Sequence, residues 1–210
     1  MLEQTDSRDS PAGDSPSVSA SEVQRLTERA RPALVDHFLA LPADDRRLRF
    51  GASISAERIA TYVAEIDLGR DAVFGVFDDA LSIVGVAHVA FADGVAELGI
   101  SVLPEHRGRG AGRALFARAA EHARNRSVPT LFMHCLAENA AIMHIARSSG
   151  MDVVAEAGDA DAHLSLSPAS LASVTGEYLI DRFALYDYAL KAHVAALKGI
   201  NSALEGVSVQ

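Results

Sequence analysis

Three scarcities in the sequence each exclude a class of protein. Cysteine occurs once, at Cys135, so no internal disulfide can form. A lone thiol inside the apolar stretch from Leu131 to Leu136 points to a reduced, cytoplasmic protein. Basic charge is short: 19 Lys and Arg face 28 Asp and Glu, for a formal net charge of −9. Coating a polyanion needs dense positive charge, so nucleic acid is not an expected partner. Long apolar runs are missing too. No stretch of about 18 consecutive apolar residues appears, so no membrane span is predicted. The opening MLEQTDSRDSPAG lacks the basic-then-apolar start of a secretory signal. The eight histidines are scattered without ligand spacing, so no metal site is predicted.

What is present suffices for one core: 49% of the residues are hydrophobic in a chain of 22.2 kDa. Residues 1–22 are mostly Ser, Asp, Pro, Gly and Ala, and read as a disordered tail. Leu34, Val35, Phe38 and Leu41 share one side of a helix expected over 26–41, with Pro32 tolerable in a first turn. Pro42 to Asp45 breaks that pattern. A second helix is expected over 55–67, with Ser55 as its cap. The period then falls to two. Strands are expected over 73–77, 81–91 and 95–103, the last two joined by the hairpin signal Asp93-Gly94. This register pairs Ala90 with Glu97 and His88 with Gly99. It sets Ala87, Val89, Phe91, Ala96, Leu98, Ile100 and Val102 on one face, and His88, Ala90, Glu97, Gly99 and Ser101 on the other.

A helix over 110–126, a strand over 130–136, a helix from Asn139 to Ser149 closed by Gly150, and strands over 151–155 and 162–166 complete a mixed α/β unit spanning 23–166. A helical extension follows over 167–198. Its stripe of Leu179, Phe183, Tyr186, Leu190, Val194 and Leu197 needs a partner surface. That surface is either the domain's own or a second subunit's, and the near-heptad spacing favours a homodimer. Residues 199–210 read as a flexible tail.

The sharpest local signal runs from Val102 to Arg113, where a strand enters a turn with Gly108, Gly110 and Gly112 and then opens a helix. Such glycines let backbone approach a ligand, and the free N–H groups of a helix start favour an anion. Residues 104–126 hold six arginines against two glutamates, a local +4 in a chain of −9. That marks a focused anion site. A nucleotide P-loop needs Gly-Lys-Ser/Thr, and here Arg113-Ala114 follows Gly112. A dinucleotide fingerprint belongs after the first strand of a βαβ unit, not the third of an antiparallel run. A glycine-rich turn with incidental arginines remains as the plain alternative.

The pattern Arg107-x-x-Gly110-x-Gly112 between strand and helix resembles the pyrophosphate-binding motif of the GNAT superfamily of acyl-CoA-dependent N-acetyltransferases. The segment Asn139 to Met151 resembles a second motif of that family, with identical spacing. Residues 34–50 also look like the opening of a bacterial subgroup close to the acetyltransferase domain of protein-lysine acetylases. The resemblance implies a mixed, largely antiparallel central sheet flanked by helices. It implies acetyl-CoA as cosubstrate, with backbone groups of Ile100, Ser101 and Val102 on the pantetheine arm. The amides of Gly108, Arg109, Gly110, Ala111, Gly112 and Arg113 would wrap the pyrophosphate, and Asn139 would touch the cofactor near its pantetheine. The side chains of Arg107 and Arg109 either bind phosphate or are solvated.

Glu97 matches the position of a glutamate that takes a proton from the substrate amine in several relatives; an exposed ion pair is its other reading. His88 could relay a proton or be a satisfied polar group. The family tyrosine that often protonates the departing thiolate falls on Ala146. His134 and His144 are the nearest other candidates, though His144 should face elsewhere. Tyr62 is distant in sequence, and Cys135 has no base placed for it. The expected activity is acetyl transfer to a primary amine, on a protein lysine, an N-terminus or a small molecule. A non-catalytic acyl-CoA-binding module is the alternative.

Overall fold

The central hairpin closes where Ala92 pairs with Val95, and Gly94 just before that pair has a positive φ of 80°. A computed structural model describes residues 18–92 and 94–207, apart from the side chains of 195 and 197–207. The tail expected over 1–17, Asp93, the side chain of Leu197 and residues 208–210 lie outside the described residues. Strand β3 (Ile83–Ala92) pairs with β4 (Val95–Val102) so that Ala90 meets Glu97 and His88 meets Gly99, as the sequence predicts.

Around this hairpin lie β1 (Val23–Arg25), β2 (Ala72–Phe77), β5 (Thr130–Leu136), β6 (Asp152–Glu156) and β7 (Asp159–Ser165), in the order β1-β2-β3-β4-β5-β7-β6. Every neighbouring pair is antiparallel except β4 with β5. That parallel pairing covers only Val95 to Glu97 against Thr130 to Phe132. Beyond it β5 stays on β7, and among the described residues β4 from Leu98 onward has no ladder partner on that edge.

Helix α4 (Ala111–Asn125) covers one face of the hairpin, burying Leu115, Phe116 and Ala119. Helices α1 (Arg31–Ala40) and α3 (Ala56–Glu65) bring buried His37, Phe38, Ile59 and Val63 to the core, α1 packing on β3 and α3 on α1. Ser55 caps α3 by accepting the Arg58 N–H at 3.3 Å. Helix α5 (Ala140–Ser148) ends at left-handed Gly150, φ 78°.

Four expectations are corrected. The N-terminal tail does not extend to residue 22: a 3₁₀ turn (Ala20–Glu22) precedes β1, which adds to the sheet edge, and Val18 N–H donates to the Arg109 carbonyl at 2.7 Å. The first helix starts at Arg31 rather than Leu26, with Pro32 in its first turn. Residues 43–50 form a helix, α2 (Ala43–Phe50), where a break is expected. The C-terminal helix α6 (Leu171–Val207) runs through the expected flexible tail as far as residue 207.

The largest surprise is how α6 docks. Ser173, Glu177, Asp181, Ala184 and Tyr188, at spacings of 3 and 4, form its inner face. Asn125 donates to Glu177 at 2.7 Å, His122 bonds Glu177 at 2.6 Å, and Arg118 pairs with Asp181. Gln24 reaches the Ala184 carbonyl at 2.6 Å. Arg118 is fully buried, its guanidinium 5.2 Å from the Phe74 ring. Helix α4 presents charge here, so α6 meets it with carboxylates. The apolar stripe therefore faces away: Leu179, Phe183, Tyr186, Leu190 and Val194 are 43–72% exposed.

Candidate active site

The free edge of β4 opens onto a groove of about 660 Å³ between α4, α5 and α2. Its lining includes Ile100, Ser101, Val102, Arg107, Gly108, Gly110, Ala111, Gly112, Arg113 and Asn139, ten of the eleven positions expected to hold the cofactor. Gly108 (φ 75°) and Gly110 (φ 81°) turn the chain through the left-handed region so that α4 begins facing the groove. The backbone N–H groups of residues 108–113 have no acceptor among the described residues, and α4 has no side-chain cap. Five of these residues, all but Arg109, line the groove, and amides left free at a helix N-terminus form a nest that can accept an anion. Gly112 has a packing reason as well, because a Cβ there would lie 2.7 Å from Ile145 Cδ1.

The expected arginines divide. Arg107 is half committed to its own chain: Nε donates to the Val102 carbonyl at 3.0 Å, and the guanidinium pairs with Asp45 at 2.8 Å. Both contacts brace the loop that leads into α4. The Arg109 side chain is exposed and does not line the groove. Ser101 offers the groove only its backbone. Its hydroxyl donates to His37 Nε2 at 2.8 Å, because His37 Nδ1–H is committed to the Ile83 carbonyl at 2.9 Å. Burial holds His37 at a pKa of about 4, so it is neutral. Asn139 is the N-cap of α5: its oxygen accepts the Ile142 N–H at 3.2 Å, and its amide reaches the Leu48 carbonyl at 3.4 Å.

A second cavity of about 320 Å³ adjoins the groove, sharing Leu48, Arg49, Ile100, Asn139 and Ile142 with it. Glu97 and His88 both line it, on one face of the hairpin as predicted. Their states differ. Glu97 is exposed. His88 accepts from the Tyr62 hydroxyl at 2.7 Å through Nδ1, and its Nε2 stands 3.5 Å from Asp71 Oδ2. Burial first, and the Arg49 charge second, hold His88 at a pKa of about 4 against the pull of Asp71. His134 lines the same cavity. Its pKa is raised, chiefly by its 2.7 Å hydrogen bond to Asp161. Burial pushes the Cys135 thiol up, which agrees with an inert side chain.

Three contributors were invisible or misread in the sequence. Tyr62 folds into the second cavity through α3. His144, expected to face elsewhere, lines the groove, while Ala146 is buried. Helix α2 supplies Asp45, Leu48 and Arg49 to the groove. Its signals were present: acids at Asp44 and Asp45, bases at Arg47 and Arg49, and left-handed Gly51 (φ 74°) at its end.

The comparisons agree with this geometry. None of the curated proteins compared with the chain matches it. Among solved structures, the GNAT domain of PAT from S. lividans is 19% identical, with a TM-score of 0.60 over 69% of this chain and 89% of that one. yncA of Salmonella typhimurium, solved with its cofactor acetyl-CoA, is 18% identical, with a TM-score of 0.54 over 70% and 95%. Spermidine N-acetyltransferase from Vibrio cholerae, solved with CoA and spermine, is 16% identical, with a TM-score of 0.56 over 68% and 94%. Likeness at such identities speaks for the fold. The model of the acetyltransferase (GNAT) family matches residues 33–151, a span that holds both cavities, the amide nest and the splayed strand, and the chain belongs to that family.

Proposed function

We propose that the protein transfers an acetyl group from acetyl-CoA to a primary amine while holding both substrates at once. The observation that carries this reading is the course of β4. Its pairing with β5 stops at Glu97, and its free edge links a cavity holding that carboxylate to a nest of unpaired amides. The groove suits CoA chemically. The amides of residues 108–113 meet the pyrophosphate, and the open edge at Ile100 to Val102 offers backbone groups to the amide-rich pantetheine arm. When bound, acetyl-CoA supplies an activated acyl thioester.

Glu97 is the base in this reading. An alkylammonium, with a pKa near 10.4, has no lone pair until it loses a proton, and Glu97 accepts that proton. The nitrogen then bonds the acyl carbon as the C–S bond breaks, and the second proton that nitrogen sheds passes through water to the departing thiolate. A backbone N–H of β4 near Val102 is the donor for the acyl oxygen. His88, neutral and bonded to Tyr62, is a positioning residue rather than a competing base. The buried Ala146 offers no acid for the thiolate, which favours a second reading, a non-catalytic acyl-CoA-binding module.

CoA-thiol release with acetyl-CoA and a panel of amines, lysine peptides and peptide N-termini separates the two. Turnover of at least one acceptor supports the enzyme; acetyl-CoA binding without any turnover supports the module. We further propose a cytoplasmic homodimer, closed through the exposed stripe of α6. The helix already satisfies its polar face on its own domain, which leaves the apolar face for a second copy.

A further inference from the structure

The acceptor cavity is bipolar. Glu97 and Gly99 sit two residues apart on the same face of β4, and the Arg49 guanidinium lies directly over Gly99. A Cβ at Gly99 would stand only 2.5 Å from Arg49 Cζ. Along the strand the carboxylate and the guanidinium are therefore based about 7 Å apart.

Arg49 is an unusual cation for this place. It is half-buried, its Nε is buried without a partner, and no carboxylate among the described residues lies within 4.0 Å of it. The acids at the rim of the neighbouring groove are taken by others, Asp45 by Arg107 and Glu138 by Arg47. Arg49 instead rests among Phe38, Phe50 and Tyr62, its Cζ 5.0–5.9 Å from their ring centroids, and donates to the Tyr62 hydroxyl at 3.1 Å. Aromatic faces and one neutral hydroxyl hold a guanidinium in position without neutralising it. A partly desolvated charge left in that state is completed by an anion, and a carboxylate is the anion its planar fork fits best.

We propose that Arg49 binds a carboxylate of the acceptor, so that the acceptor is a small zwitterionic amine of the amino-acid class. Its ammonium group lies at Glu97 and its carboxylate at Arg49. Bridged from above the strand rather than along the line between them, two groups based about 7 Å apart suit a short molecule whose cation and anion stand a few bonds apart. The cavity, at about 320 Å³, is of a size for one small molecule. This assignment rests on the acetyl-transfer reading and narrows it. A polyamine carries nothing for Arg49 to bind, and it would bring a second cation toward the guanidinium.

The test compares α-amino acids with their carboxamides, which keep the amine and lose the negative charge. Wild-type kcat/KM for the best amino acid is expected to exceed that of its amide at least tenfold, with the difference in KM. Arg49→Gln should cost the amino acid at least tenfold more than it costs the amide, both measured at saturating acetyl-CoA. Gly99→Ala, which displaces the guanidinium without removing it, should act in the same direction. Calorimetric titration of the same pairs into the CoA-saturated protein gives a readout independent of turnover: the amino acid binds, the amide does not, and Arg49→Gln abolishes the difference. Equal treatment of acid and amide overturns the assignment, as does equal loss for both in Arg49→Gln, which would place Arg49 on the thioester. Turnover of amines without that preference refutes this inference alone. Selective amino-acid binding without turnover of any acceptor refutes the enzyme reading and leaves the anion site standing.

Discussion

Lowering the pH from 7.5 to 5 is expected to remove about 4 kcal/mol of folding stability through two histidines. His37 and His88 are both held neutral in the fold, each at a pKa of about 4 against an ordinary value of 6.5, with burial the leading cause. The unfolded chain takes up protons at these sites below pH 6.5, whereas the folded chain does so only near pH 4. Stability is therefore fully present above the unfolded value and falls as the pH drops between the two. Each site costs about 2 kcal/mol by pH 5 and about 3 kcal/mol at full protonation. Against a typical total of about 5–15 kcal/mol, the loss at pH 5 is large.

Other shifted groups act elsewhere on the pH scale. Burial pushes Asp71 up, but hydrogen bonds from Arg70 and the Phe91 amide leave it below its ordinary value, so its contribution fades only under about pH 4. The pKa of His134 is raised, so its stabilisation is complete below pH 6.5 and fades as pH rises through the folded value. Urea unfolding at half-unit pH steps measures the slope. His37→Asn and His88→Asn together should flatten it between pH 6.5 and 5. A wild-type curve flat over that window, or an equally steep one in the double variant, refutes the argument.

Glu97→Gln should lower turnover about 10²- to 10⁴-fold with acetyl-CoA affinity nearly unchanged, measured by thiol release and calorimetry; near wild-type turnover across pH 6 to 9 moves the base elsewhere. Asp181→Ala leaves buried Arg118 without its main partner and should cost about 3 kcal/mol by denaturant unfolding. A loss below 0.5 kcal/mol would mean that α6 is not held by that pair. Phe183→Asp with Leu190→Asp should turn a dimer into a monomer of 22.2 kDa by light scattering. A wild-type monomer at high micromolar concentration ends the dimer proposal.

The sequence carried the site better than its surroundings. Period-two patterning and Asp93-Gly94 give the β3–β4 register residue by residue, because a one-residue slip would turn the apolar set outward. The glycines at 108, 110 and 112 announce the amide nest, because few other residues let a backbone turn and approach a ligand that way. Long-range facts were harder to read. Tyr62 reaches His88 across 26 positions, and only the packing of α3 decides that. Helix α2 is short and polar, so its charges and Gly51 had to be read as helix signals without apolar periodicity to support them. The stripe of α6 was legible as a stripe. Which face would dock was not, because that depends on Arg118 and His122 standing outward from α4.

Titration calorimetry with acetyl-CoA tests the central claim most directly. The wild-type protein is expected to bind saturably with one site per chain. Gly110→Glu, shown to be folded by circular dichroism, is expected to lose that binding, because it sets a carboxylate at the mouth of the amide nest. No heat from the wild type at millimolar acetyl-CoA, or undiminished binding in Gly110→Glu, would contradict the account.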